Sequence, residues 1–154
     1  MIKIMFVCHG NICRSPMAEF ILKDMVAKKG IADKFLIASS ATSREEIGNP
    51  VYPPARERLL RSGISPEGKR AVQVTKQDYE NYDLLICMDR NNLRNITRII
   101  PTDPQNKIKL LMDYAGEHRD VADPWYTGDF DATYRDVLAG CEGFLDFLAE
   151  QGEI

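Results

Sequence analysis

Ile2-Lys3-Ile4-Met5-Phe6-Val7-Cys8-His9-Gly10-Asn11-Ile12-Cys13-Arg14-Ser15-Pro16 decides the reading of this chain. The apolar run Ile2 to Val7 reads as a buried strand that delivers a cysteine at its C-terminal end. Pro16 suits the first turn of a helix, and good helix formers follow it. Cys8 to Ser15 is therefore expected to be a loop between a strand and a helix N-terminus. Such a loop aims backbone N–H groups and the positive end of the helix dipole at one point, which favours an anion. Gly10 lets the backbone curl, Asn11 tolerates left-handed dihedrals, and successive N–H groups bent in this way form an anion nest. A cysteine placed there should titrate low and attack as thiolate. Arg14 adds a planar fork for two phosphate oxygens. A cation at a helix start stands against the dipole, which suggests an anion between them.

Working outward, helix one is expected over about Pro16 to Lys29, with Ala18, Ile21, Leu22, Met25 and Val26 on one face and Gly30 as its stop. Phe35 to Ala38 reads as a second strand, and residues 39–52 as a Ser/Gly/Asn/Pro loop. A helix opens at Pro53 or Pro54 and runs to about Ser62. Thr75 caps a short helix over Lys76 to Asn81. Leu84 to Cys87 is a third strand, and Asp89 caps the helix that follows, to about Ile99. Ile108 to Leu111 is a short fourth strand, and residues 112–130 read as a long polar loop. The last helix, about 131–150, spaces Tyr134, Val137, Leu138, Cys141, Leu145 and Leu148 helically. Continuous apolar strands alternating with helices predict an α/β fold with a parallel, doubly wound sheet, whose ligands bind beyond the C-terminal strand ends.

The 154 residues suit one domain, and a net charge of −3 argues against non-specific nucleic-acid binding. No apolar run approaches the roughly 20 residues of a membrane span, and the N-terminus lacks a signal-peptide pattern. The settings of the four cysteines, two in the loop, one ending a strand and one on a helix stripe, point to a reduced cytoplasmic protein. The reading calls for no metal and no cofactor.

The Cys-x5-Arg-Ser string in Val7-Cys8-x-Gly10-Asn11-Ile12-Cys13-Arg14-Ser15-Pro16 resembles the low-molecular-weight protein tyrosine phosphatase family. The resemblance continues at Ser39-Ser40-Ala41-Thr42-Ser43 with Gly48-Asn49-Pro50, at Ile86-Cys87-Met88-Asp89 with Asn92-Leu93, and at Asp123-Pro124-Trp125-Tyr126. It covers residues 2 to about 148, in the family's order. It implies a single phosphatase domain over 1–154, with a four-stranded parallel sheet and helices on both faces. It also implies hydrolysis of phosphotyrosine on proteins or peptides through a cysteinyl-phosphate intermediate, with phosphate and other oxyanions as inhibitors.

The resemblance assigns roles residue by residue. Cys8 is the nucleophile, Arg14 the phosphate clamp and Asp123 the general acid and then base; residues His9, Gly10, Asn11, Ile12, Cys13, Arg14 and Ser15 cradle the phosphate. Ser15 either caps helix one or bonds the Cys8 sulfur. Ser39 supports Asn11. Ile12, Glu45, Trp125 and Tyr126 form the pocket wall. Asp123-Pro124 alone reads more readily as a turn starter, and the match to the family's Asp-Pro-aromatic-Tyr element reverses that. Cys13 is either a disulfide partner that shelters Cys8 or a packed small residue; His9 lies at the rim. Relatives carry a histidine brace for the loop asparagine where Lys69 or the nearby Arg70 stands here. Some relatives have an aromatic at the rim position where Glu45 stands; Glu45 and Glu46 beside the phosphate pocket are expected to repel acidic peptides and favour neutral or basic ones.

Three other functions compete. An arsenate reductase of the same fold needs two further cysteines a few residues apart, whereas Cys87 and Cys141 are far separated. A protein-arginine phosphatase tends to carry threonine where Ile12 stands and lacks the aromatic pair. A phosphate-binding module needs neither Cys8 nor Asp123.

Overall fold

The computed structural model describes residues 1–154. Four strands form one parallel sheet: β1 (Ile2–Cys8), β2 (Phe35–Ala41), β3 (Leu84–Cys87) and β4 (Ile108–Leu110), in the order β2-β1-β3-β4. β1 is central, and its alternating side chains serve two cores. Ile4, Phe6 and Cys8 face the larger core, together with α1 (Arg14–Lys28) and α7 (Phe130–Glu150). Met5 and Val7 face the smaller one, with Val74, Tyr79 and Ile96. Burial on both faces is why the strand reads as a continuous apolar run.

The predicted helix faces are the buried ones. Ala18, Ile21, Leu22 and Val26 of α1 are in the core, and Val137, Cys141, Leu145 and Leu148 of α7 join them. Thr75 caps α3 (Lys76–Asn81) with a reciprocal bond to Asp78, and Asp89 caps α4 (Arg90–Ile96) in the same way with Asn92. α2 (Pro53–Arg61) opens on Pro53, as expected.

Five expectations are corrected. β2 continues through Ser39, Ser40 and Ala41, because they pair with Phe6, Val7 and Cys8 of β1; on the other side Ala41 donates to the Val72 carbonyl at 2.8 Å and Val74 to the Ala41 carbonyl at 2.8 Å. Those serines are strand residues whose polar side chains face partners within the fold. α1 starts at Arg14, two residues before the expected start at Pro16, and α4 ends at Ile96, short of Ile99. The stretch 112–130 is not one loop. It holds two single-turn helices, α5 (Leu111–Tyr114) and α6 (Pro124–Thr127), and β4 ends at Leu110 to make room for the first.

α5 is pressed onto α7 at Gly140 and Gly143. An ideal Cβ on Gly143 would overlap the Tyr114 carbonyl, and one on Gly140 the Leu111 side chain. Backbone cannot give way as a side-chain tip can. Gly143→Ala should therefore destabilise the protein by about 1–3 kcal/mol, the usual overpacking range, even though alanine is the better helix former. Urea unfolding reads this; an unchanged or raised midpoint would contradict the close contact.

Candidate active site

The C-terminal ends of β1, β2 and β3 converge on one cleft of about 410 Å³. Cys8 closes β1 at its floor, and the loop 9–13 with the first residues of α1 wraps around it. Asn11 shapes this loop. It adopts φ 60, is 1 % exposed, and uses its whole side chain. Its Nδ2 donates to Ser15 Oγ at 2.7 Å and to Ser39 Oγ at 2.9 Å, while its Oδ1 accepts from the Val72 amide at 3.1 Å. Its backbone N–H points at Cys8 Sγ, 3.3 Å away. Ser15 Oγ stands 3.0 Å from the same sulfur.

Ser15 is not the helix cap. It lies within α1, whose N-cap position is Cys13 and which has no side-chain cap bond. Having accepted from Asn11, the serine hydroxyl has one proton to give; Cys8 Sγ at 3.0 Å is nearer than the Ser40 carbonyl at 3.4 Å.

Arg14 is 4 % exposed. Its Nη1 donates to Asp89 Oδ2 at 2.7 Å and to the Val121 carbonyl at 3.2 Å; its Nη2 reaches Asp123 Oδ2 at 3.4 Å. Burial disfavours its charge, but Cys8, Asp89 and Asp123 outweigh that and hold the guanidinium above its ordinary value. Asp89 was legible as a helix cap; its second oxygen, turned to Arg14, was not. Asp123 likewise does two things. Its Oδ1 caps α6 by accepting from the Trp125 amide at 3.0 Å, and its Oδ2 faces Arg14.

Ile12, Glu45, Trp125 and Tyr126 line the cleft, and Trp125 leans on Tyr52 with ring centroids 5.1 Å apart. Both wall aromatics are free toward solvent, Trp125 59 % and Tyr126 86 % exposed. At the mouth His9 Nε2 meets Glu45 Oε2 at 3.0 Å, both side chains exposed. Across from them Asn91 and Asn95 line the same cleft. Cys13 also lines it; burial first, then the charge of Cys8, pushes its thiol up to about 12. All four cysteines are unpaired and buried. No cluster of three or more His, Cys, Asp or Glu side chains is arranged to hold a metal ion.

Behind the loop stand Glu19, which sequence reasoning missed, and Lys69, the residue at the position of the relatives' histidine brace. Glu19, buried on α1, accepts from Ser39 Oγ at 2.6 Å and from Lys23 Nζ at 2.6 Å. Lys69 Nζ lies 3.6 Å from Glu19 and donates to the Ser39 carbonyl at 2.8 Å. Burial pulls Lys69 below its usual value despite this carboxylate. Glu19 falls on the buried side of α1 among apolar residues, and that one acidic interruption was the available signal.

The family model described as low molecular weight phosphotyrosine protein phosphatase matches residues 3–153. The chain belongs to this family. The low molecular weight protein-tyrosine-phosphatase YfkJ of Bacillus subtilis is 39 % identical over 156 residues, covering 100 % of both chains. Its crystal structure superimposes with a TM-score of 0.93 at 40 % identity, over 98 % of this chain and 96 % of that one. The Homo sapiens low molecular weight phosphotyrosine protein phosphatase is 37 % identical, over 93 % of each chain. A Drosophila arginine phosphatase has the same fold, with a TM-score of 0.85 at 30 % identity over 95 % of this chain and 97 % of that one.

The Lys69–Glu19–Ser39 chain is expected to hold Asn11, and with it the loop of this family member. Lys69→Met should cost about 1–3 kcal/mol, below the range for an isolated buried pair because Lys23 still compensates Glu19. kcat/KM should fall with it, and Lys69→Arg should recover part of both. Unchanged urea midpoint and kcat/KM in Lys69→Met would contradict the brace.

Proposed function

We propose that this chain, as one catalytic domain over 1–154, hydrolyses phosphotyrosine on proteins or peptides through a cysteinyl-phosphate intermediate. The observation that carries the reading is Cys8 Sγ at the cleft floor, with Ser15 Oγ at 3.0 Å and the Asn11 N–H at 3.3 Å, beside a buried arginine and the Asp123 carboxyl. Cys8 attacks phosphorus as the P–O bond to the phenol breaks, and Asp123 gives the leaving oxygen its proton. In the second step the Asp123 carboxylate takes a proton from water, water attacks phosphorus, and the S–P bond breaks to release inorganic phosphate. Arg14 holds the equatorial oxygens throughout. Its Nη1 is given to Asp89 and Val121, so its Nε side remains for the phosphate. Free phosphate and similar oxyanions then compete for the same cradle.

Phenyl is favoured over guanidinium as the leaving group because Ile12 and Trp125 offer apolar surface to a flat ring. Cys87 and Cys141 are fully buried, which speaks against a disulfide relay to either of them. Side-by-side hydrolysis of phosphotyrosine, phosphoarginine and phosphoserine discriminates; phosphoarginine as the preferred substrate would overturn the phenyl reading.

No helix is long and apolar enough to cross a membrane. We infer a cytoplasmic protein, since a cysteine nucleophile works only reduced; recovery in a secreted fraction would contradict this. Cys13 then serves as redox partner. Oxidation makes Cys8 a neutral sulfenic acid, which removes one cause of the raised Cys13 value, and attack by Cys13 releases water and forms the disulfide. Peroxide-treated enzyme should recover with a thiol reductant, and Cys13→Ser should recover less; equal recovery would make Cys13 ordinary packing.

Cys8→Ser should abolish turnover yet retain phosphate-analogue binding. Asp123→Asn should lower kcat/KM on a phenyl-type phosphate by about 10²–10⁴, the general-acid range, and by much less where the leaving group departs as a stable anion. Equal losses across leaving groups would reject the acid role.

A further inference from the structure

Asp123 sits on a segment whose backbone is tied down immediately before it. Val121 donates to the Met88 carbonyl, just past β3, at 2.9 Å, and its own carbonyl accepts from Arg14. Ala122 is held differently. Both of its backbone polar groups are taken by side chains of α7, which lines no part of the cleft. Its N–H donates to Asp136 Oδ2 at 3.1 Å, and its carbonyl accepts from Thr133 Oγ1 at 2.8 Å. Thr133 is fully buried. Its hydroxyl has one proton, and the Ala122 carbonyl is the nearer acceptor than the Asp129 carbonyl at 3.4 Å.

Asp136 also grips the segment further back. Arg119 makes a two-pronged contact with it, at 2.7 and 2.9 Å. Burial pulls the Asp136 carboxyl upward, but bonds from Arg119 and the Ala122 amide outweigh this and hold it below the usual carboxylate range. One carboxylate thus clasps the chain at residues 119 and 122, and one threonine closes the remaining carbonyl. Asp123 follows at once, before Pro124 fixes the backbone again.

We propose that Thr133 and Asp136 are positioning residues that aim the Asp123 carboxyl at the leaving-group oxygen. The proposal rests on Asp123 being the general acid. A proton donor must lie within about 2.6–3.2 Å of the atom it serves, and a misplacement of about 1 Å can cost 10²-fold. Two α7 side chains pinning the adjacent peptide set that distance without touching substrate. Tying the acid to the longest helix also fixes it relative to Cys8, because α7 and β1 share the larger core.

The test is kcat/KM across a series of aryl phosphates, from phenyl-type leaving groups that need a proton to dinitrophenyl-type ones that do not. Thr133→Val and Asp136→Ala should lose about tenfold on the first kind and little on the second, and Thr133→Ser should recover most of the loss. Activity on the dinitrophenyl-type substrate is the internal check that each variant folds. Leaving-group-independent losses in Thr133→Val, beside a leaving-group-dependent loss in Asp123→Asn, would overturn the positioning role alone and leave α7 a stabilising contact. A flat profile in Asp123→Asn as well would overturn the acid reading and the positioning role with it. Full activity of both α7 variants on every substrate would also overturn it.

Discussion

Asn11 is the constraint on which the site depends. A buried non-glycine residue in the left-handed region is strained, and it persists only where its surroundings over-determine it. Here they do so from three directions: Ser15 on α1, Ser39 on β2, and the Val72 amide on the strand-like segment beside β2. The same residue turns its own N–H to Cys8. The loop cannot relax without breaking bonds to three separate elements. The cradle is therefore formed before any anion arrives, which is what electrostatic stabilisation in a preorganised site requires.

The electrostatics follow from the sheet. Four parallel strands put their carboxyl ends at one edge, so the residues that follow β1, β2 and β3 meet there although they are far apart in sequence. A buried guanidinium without partners would be costly, and Asp89 answers that cost at 2.7 Å from a helix cap whose geometry is fixed by Asn92. Asp123 stands at 3.4 Å, a looser contact, and so remains available for other work.

The strand-loop-helix opening, the parallel sheet and the capping roles of Thr75 and Asp89 were legible because each rests on local pattern: apolar runs, a proline, a side chain that bonds its own turn. The end of β2 was not. Ser39 to Ala41 look like loop, and only their pairing with Phe6, Val7 and Cys8 of β1, extended by a bridge from Ala41 to Gln73, makes them strand. α5 and α6 are single turns with no periodicity to read, and α5 exists because two glycines of α7 let it approach. Thr133 and Asp136 escaped because each acts through a partner remote in sequence, Ala122, so nothing in its own neighbourhood marks it. Lys69 was legible as the occupant of the brace position, but its partner Glu19 showed only as an acidic interruption on an apolar face.

Cys8 stands at the centre of this arrangement, and the most direct measurement is mass spectrometry of enzyme acid-quenched during turnover of phosphotyrosine. One phosphoryl group on the peptide that contains Cys8, absent in Cys8→Ser, is the expected result. Turnover with no phosphoryl group on Cys8 at any quench time, or with phosphate on another residue, would contradict the assignment.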